Sequence, residues 1–224
     1  MGTKEKIGIA QLIHDFIQKN RKIILISFCL LLVIFIGSLI TIFVMDKTRI
    51  NAISELEELT TRYSELFLLI EDESATNEID ELITELKTFA SKNSGFAKGK
   101  AWTTIAQIYS GRKDWPEAET AWVNAAQASA KSYLGPISFF NAAVAAEEQG
   151  KYIEAIDFLT KSINHNRTFP AAPRAQFAIG RLYETINDNS AAIAAYQQVL
   201  IKWSNIPIWT NLAQNRIIAL EANL

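Results

Sequence analysis

Cysteine is almost absent from this 224-residue chain and histidine nearly so: Cys29 stands alone, beside His14 and His165. A single thiol excludes an internal disulfide. Residues this few and this far apart form no metal-ligand constellation, and they leave little that titrates near neutrality. Both histidines are expected at the solvated surface. The nine glycines are scattered, which excludes a glycine-rich phosphate loop. No nucleophile–base arrangement stands out, and the paired acids Glu147-Glu148 fall where a solvated role is common. Neither an enzyme nor a cofactor is expected. A basic excess is also missing, since the formal net charge is −2. Beyond residue 45, 17 Lys/Arg face 22 Asp/Glu, a net of −5. Eleven acidic residues lie between Glu55 and Glu85, opposed there by Arg62 alone. Nucleic acid needs a basic face and is excluded. The acidic run reads as a solvated helical surface, with a basic partner as the alternative.

Charge is missing altogether from Ile23 to Met45, a run of 23 residues. As a helix rising about 1.5 Å per residue, that run is roughly 35 Å long, enough to cross a bilayer. A cleaved signal has a shorter apolar region ending in small residues. This run ends in Thr41-Ile42-Phe43-Val44-Met45, so an uncleaved anchor is expected. Phe28 before Cys29 argues against a lipoprotein signal. Lys4, Lys6, Lys19, Arg21 and Lys22 precede the span, which predicts a cytoplasmic N-terminus and an exported remainder. Ile7–Ile17 clusters Leu12, Ile13, Phe16 and Ile17, an amphipathic stretch suited to the inner leaflet. Anchored this way, the chain contacts membrane lipid and places its later residues in the periplasm or its equivalent. Cys29 falls inside the span, so the exported part carries no thiol.

After the span, Ile50, Ile53, Leu56, Leu59, Tyr63, Leu66 and Ile70 recur at spacings of three and four. This stripe predicts a helical neck from Asp46 to Ile70. It can pack within the chain or against a second copy as a short coiled coil, which would make a homo-oligomer. Packing within the chain is the more economical. Glu71–Asn77 reads as a turn, with Thr76-Asn77-Glu78 opening the next helix. Ile79, Leu82, Ile83, Leu86, Phe89 and Ala90 then form one apolar stripe over Thr76–Ser91.

From here the sequence repeats. Trp102-x2-Ile105-Ala106-x2-Tyr109 precedes Ala118-x3-Trp122-x2-Ala125. Phe139-x2-Ala142-Ala143-x2-Ala146 precedes Ala155-x3-Leu159-x2-Ser162. Gln176-x2-Ile179-Gly180-x2-Tyr183 precedes Ala192-x3-Tyr196-x2-Val199. Ala118, Ala155 and Ala192 are 37 residues apart each time. Small residues at Ala106, Ala143 and Gly180 suit a close helix crossing, and Trp122, Leu159 and Tyr196 fill the space toward the next unit. Arg112–Pro116, Gly150-Lys151-Tyr152 and Asn187–Ser190 hold the turn between the two helices of each unit. Asp114 and Asp188 can cap the second helices. Pro136 and Pro173 open first helices, and Ser129–Gly135 and His165–Ala172 read as loops between units. Pro207–Ala222, with Trp209, Leu212, Ala213 and Ile217, reads as half a repeat that ends the array.

This order of bulky, small and aromatic residues resembles the tetratricopeptide repeat (TPR), a pair of antiparallel helices. The resemblance implies an all-α fold: a transmembrane helix, then a TPR-like α-solenoid of about three clear helix pairs with degenerate N-terminal and capping C-terminal helices. The expected divisions are a basic cytoplasmic tail at 1–22, the transmembrane helix at 23–45, and a neck with a degenerate repeat at 46–96. Three TPR-like repeats at 97–204 and a capping helix at 205–224 follow. Stacked pairs leave a concave face for binding. Projecting the family pattern places Thr103, Gln107, Phe140, Asn141, Val144, Phe177 and Arg181 toward that groove, with Glu147 and Arg174 at its edges. Such a lining suits an extended segment or an amphipathic helix of a protein partner. The carboxylate clamp of some TPR domains is not expected, because Thr103, Gln107 and Ala178 occupy its places and only Asn141 and Arg174 partly match it. The architecture resembles the membrane-anchored TPR accessory subunits of the bacterial Sec translocon (YfgM-type), which work with a periplasmic chaperone. By that resemblance the chain is an inner-membrane scaffold for translocation or envelope assembly. A regulatory or cell-division and cell-wall role through the same groove is the alternative.

Overall fold

The computed structural model describes residues 9–67, 73–165 and 169–222. The described residues are helical, joined by short turns. The helices are α1 (Ile9–Phe67), α2 (Glu73–Lys92), α3 (Gly95–Gly111), α4 (Trp115–Ala128), α5 (Leu134–Glu148), α6 (Tyr152–His165), α7 (Ala172–Thr185), α8 (Asn189–Lys202) and α9 (Pro207–Glu221). The chain divides into two units, Met1–Asn51 and Ala52–Leu224.

In the first unit the large apolar side chains described between Ile23 and Val44 are exposed, and so is Cys29. The segment Phe16–Phe67 holds an 18-residue window of mean hydropathy 3.1, none of it buried. It is long and apolar enough to cross a membrane, a property that an N-terminal signal sequence shares. Its hydroxyls are satisfied inside the helix. Ser38 donates to the Phe35 carbonyl at 2.7 Å and Thr41 to that of Gly37 at 2.9 Å. Hydrocarbon supplies no water for such groups, so internal bonding is what a lipid-exposed helix needs. His14 is exposed, as expected.

The second unit is a stack of helix pairs. Leu56, Leu59 and Leu66 of the neck stripe are buried in one core with Ile79, Leu82, Ile83, Leu86, Phe89 and Ala90 of α2. The stripe is thus used within the chain; Ile50 and Ile53 stay exposed, and Ile70 lies outside the described residues. Two acids of the long acidic run are paired, Glu85 with Arg62 at 2.8 Å and Asp80 with Arg112 at 2.6 Å. Helix α2 starts earlier than expected. Glu73 begins it, so Thr76 and Asn77 lie inside the helix rather than opening it. Acidic and alanine residues favour that first turn, which presents free amides and a positive dipole end.

The turns between paired helices repeat to the residue. Lys113, Gly150 and Asn187, 37 apart, all take left-handed conformations, with φ of 59°, 73° and 63°. After each, an amide reaches back five residues: Asp114 to Tyr109, Lys151 to Ala146 and Asp188 to Tyr183, at 2.9–3.0 Å. This closes the carbonyls left open at a helix end. Asp188 caps α8, accepting from the Ala191 amide at 2.9 Å. Asp114 makes no such bond.

The crossings behave as the spacing requires. Ala106, Ala118, Ala143, Ala155, Gly180 and Ala192 are all buried. A methyl added at Gly180 would stand 2.5 Å from the Tyr196 ring. Trp122, Leu159 and Tyr196 are buried at one repeated position. Truncating such an aromatic costs about 3–5 kcal/mol. In α9, Ala213, Ile217 and Leu220 are buried while Leu212 is exposed. His165 departs from the expected solvated state. Its ring lies edge-on to Phe139 at 5.8 Å, and its Nε2 is buried over Gly135 with no hydrogen-bond partner among the described residues.

Candidate protein-binding groove

The 37-residue period fixes which residues share a place on the first helices. Thr103, Phe140 and Phe177 are equivalent, as are Gln107, Val144 and Arg181, and again Ser110, Glu147 and Glu184. Their fates differ because their side chains differ in reach. Thr103 is 6% exposed, and its hydroxyl donates to the Gly99 carbonyl at 2.9 Å. It belongs to the helix packing and not to an open surface, correcting its expected place in the groove. A branched side chain two atoms long stops where a phenylalanine ring would continue outward. Gln107 is exposed on α3 and Asn141 half-buried on α5.

The other four expected residues come together. Phe140, Val144, Phe177 and Arg181 line a concavity of about 270 Å³ between α5, α7 and α9. Ala143, Leu159 and Ala178 form its floor, and Glu147, Arg174 and Trp209 complete it. Trp209 is the contributor missed from the sequence. Its helical spacing was visible, but reading α9 as a cap hid that a half repeat also presents a groove face.

Each aromatic wall is held by a neighbour and keeps one side to the concavity. Phe177 packs against Tyr196 at 5.0 Å and Trp209 at 5.8 Å between ring centroids. Phe140 meets Phe169 at 6.5 Å, and the Arg174 guanidinium lies 5.1 Å over its ring. Fixed rings lose little freedom when a ligand arrives, which favours binding.

The charges are arranged with equal economy. Arg181 grips Glu147 through two bonds of 2.5 and 2.6 Å, which raise its pKa and hold it charged. One helix pair further on, Arg216 grips Glu184, which also accepts from the Tyr196 hydroxyl. Burial alone would raise the Glu184 pKa, but the bonds from Arg216 and Tyr196 outweigh it and hold the carboxyl below its usual range. Tyr196 is pushed well above its usual value, first by burial and then by Glu184. Arg174 has no carboxylate partner among the described residues and is exposed at the rim. The concavity therefore offers apolar walls, one compensated arginine and one uncompensated arginine. Among the described residues, no group of three or more His, Cys, Asp or Glu could hold a metal ion.

Paired antiparallel helices with small residues at each crossing, repeated every 37 residues, define a tetratricopeptide-repeat fold, a non-catalytic protein-interaction module. Residues 173–200, α7 and most of α8, match the Tetratricopeptide repeat family model. The chain is homologous to TPR-repeat proteins. A TPR repeat-containing protein of Treponema pallidum (strain Nichols) is 36% identical over 146 residues, 63% of this chain. The chain spans 59% of that relative's length. A solved structure of kinesin light chain TPR-like repeats from Podosopora anserina aligns with a TM-score of 0.49 at 12% identity, over 75% of this chain and 97% of that one.

Proposed function

We propose that this chain is a membrane-anchored scaffold that holds protein partners in the α5–α7–α9 concavity. The observation that carries the reading is the combination of fixed aromatic walls with Arg174 uncompensated beside them. A partner segment presenting a large apolar side chain next to an acidic one matches that lining. The apolar side chain would displace water from Phe140, Val144 and Phe177. The acid would pair with Arg174 without breaking the Glu147–Arg181 bond.

Ile23–Met45 serves as the anchor, with the basic residues before it on the cytoplasmic side and residues 46–224 exported, in a bacterial inner membrane. Residues 46–96 form the neck and degenerate repeat, 97–204 the repeats and 205–224 the cap. The combination of basic segment, apolar helix and repeats supports a role beside the translocation machinery and its chaperones, or in envelope assembly.

A photo-crosslinker at Val144 in the full chain, activated in native membranes, tests this. Adducts are expected at Val144 and not at exposed Ile201 of α8. Recovery of translocon and chaperone subunits in the adducts supports the scaffold role, whereas division or cell-wall proteins would redirect it. Equal labelling at both positions would remove the groove as the binding surface.

A further inference from the structure

The edge of the repeat unit that carries the connections α2–α3 and α4–α5 has a different chemistry from the rest of it. Phe96 is 42% and Tyr133 62% exposed, although both are aromatic. Their rings pack on each other at 6.2 Å, which holds both out at the surface. Lys92, Lys98 and Lys131 flank them in sequence, none in an ion pair among the described residues. The acidic run breaks off here. No Asp or Glu occurs between Glu85 and Asp114, or between Glu119 and Glu147.

Topology fixes which end of the unit this is. The five residues joining α1 to α2 are too few to return along the pair, so the two helices run antiparallel. Arg62 meets Glu85, so ten residues back along α1 and ten forward along the chain after α2, Ala52 lies level with Gly95. The chain thus enters the unit at the same end as the lysine and aromatic edge. Met45, the last residue of the uncharged run, is seven residues before Ala52. Even fully extended, seven residues reach about 25 Å.

We infer that this edge rests on the anionic lipid surface next to the anchor, with Phe96 and Tyr133 at headgroup level and the three lysines against lipid phosphates. Aromatic side chains favour that interface, and basic side chains are attracted to anionic lipid within a Debye length. The inference rests on the anchor reading but not on the groove. Docked this way, the repeat unit is held in a fixed attitude, and its acidic α1–α2 surface is kept for other contacts.

The test uses the full chain with Cys29→Ser and a fluorophore on Ala130→Cys, an exposed position beside Lys131. It is placed in nanodiscs containing a headgroup spin-labelled lipid. With phosphatidylglycerol present, quenching at residue 130 is expected to exceed that in phosphatidylcholine discs by about threefold or more, as an electrostatic attraction requires. A label on Ile153→Cys, at the opposite edge, is expected to stay unquenched. Adding Lys92→Glu, Lys98→Glu and Lys131→Glu is expected to abolish the difference with helicity retained. Equal quenching at residues 130 and 153, or equal quenching in both lipids, overturns the inference and leaves the edge to a protein partner. A chain that does not incorporate into discs overturns the anchor reading, and this inference with it.

Discussion

Glu147 and Glu184 hold the same place in consecutive repeats, yet their surroundings have parted. Glu184 accepts from the Tyr196 hydroxyl and from Arg216, and its side chain is 15% exposed. In the middle repeat Leu159 stands where Tyr196 would be, so Glu147 has Arg181 as its partner and is 29% exposed. The first repeat shows the same logic in neutral form, with the Trp122 indole donating to Ser110 at 3.2 Å. A polar aromatic on the second helix gives this residue a partner within its own repeat. Leucine there leaves it facing the groove. The concavity opens beside the repeat whose core has lost its polar handle.

The largest effect expected from breaking this contrast lies in the last repeat. Tyr196→Ala should cost about 3–5 kcal/mol, measured from the urea midpoint of the full chain in detergent. Tyr196→Phe keeps the ring and leaves Glu184 its arginine, so about 1 kcal/mol is expected. Near-equal losses would mean that the hydroxyl, not the buried ring, holds the repeat. Leu159→Ala should cost about 2–5 kcal/mol through its cavity, yet leave the Glu147–Arg181 pair intact.

The two glutamates themselves should separate next. Glu184→Gln weakens charged hydrogen bonds in a confined place, for which about 1.5–3 kcal/mol is typical. Glu147→Gln weakens a half-exposed pair, worth about 0–1 kcal/mol. The pH dependence has a definite sign. Glu184 is held below its unfolded pKa, so its contribution is complete above the ordinary carboxylate range near about 4.3 and is lost as pH falls further. Glu184→Gln should therefore flatten the acid limb of the stability curve. An unchanged limb would show that other carboxylates drive acid unfolding.

Much of the fold was legible because packing at a helix crossing restricts residue size, and that restriction repeats every 37 residues. The alanines and Gly180, the α2 stripe and the turn positions were readable for that reason. The groove was partly readable. Phe140, Val144, Phe177 and Arg181 meet in the concavity because equivalent places on first helices face the same way. Thr103 shares their place but not their length, and periodicity carries no information about reach. The missing cap at Asp114 has no structural explanation, since its backbone matches that of Asp188. The Arg181–Glu147 pair joins residues 34 apart, on helices whose facing sides only the packed stack determines.

In the groove, Arg174→Ala combined with Val144→Glu should reduce partner capture by about tenfold or more, equivalent to about 1.4 kcal/mol. Melting should stay within about 0.5 kcal/mol, since neither side chain is buried. Thr103→Ala should show the opposite pattern, a measurable loss of stability with capture retained. Capture that survives the double change would move the partner to another face, with the acidic α1–α2 surface next to be tested.

A last contrast concerns the turns, where three repeats solve one backbone problem with different residues. Lys113, Gly150 and Asn187 all take positive φ. For a lysine the left-handed region costs roughly 1–2 kcal/mol, because its Cβ crowds a carbonyl; asparagine tolerates it better and glycine has no Cβ. Lys113→Gly should therefore raise stability, by about 0.5–1 kcal/mol once the greater freedom of glycine in the unfolded chain is subtracted. Asn187→Gly should change little. Gly150→Ala should lower stability by about 1 kcal/mol through the backbone alone, because no atom outside its chain neighbours lies within 4 Å of the added methyl. The three melts together isolate backbone conformation from packing. If Lys113→Gly is destabilising, the lysine side chain must contribute a contact at the turn that exceeds its conformational cost.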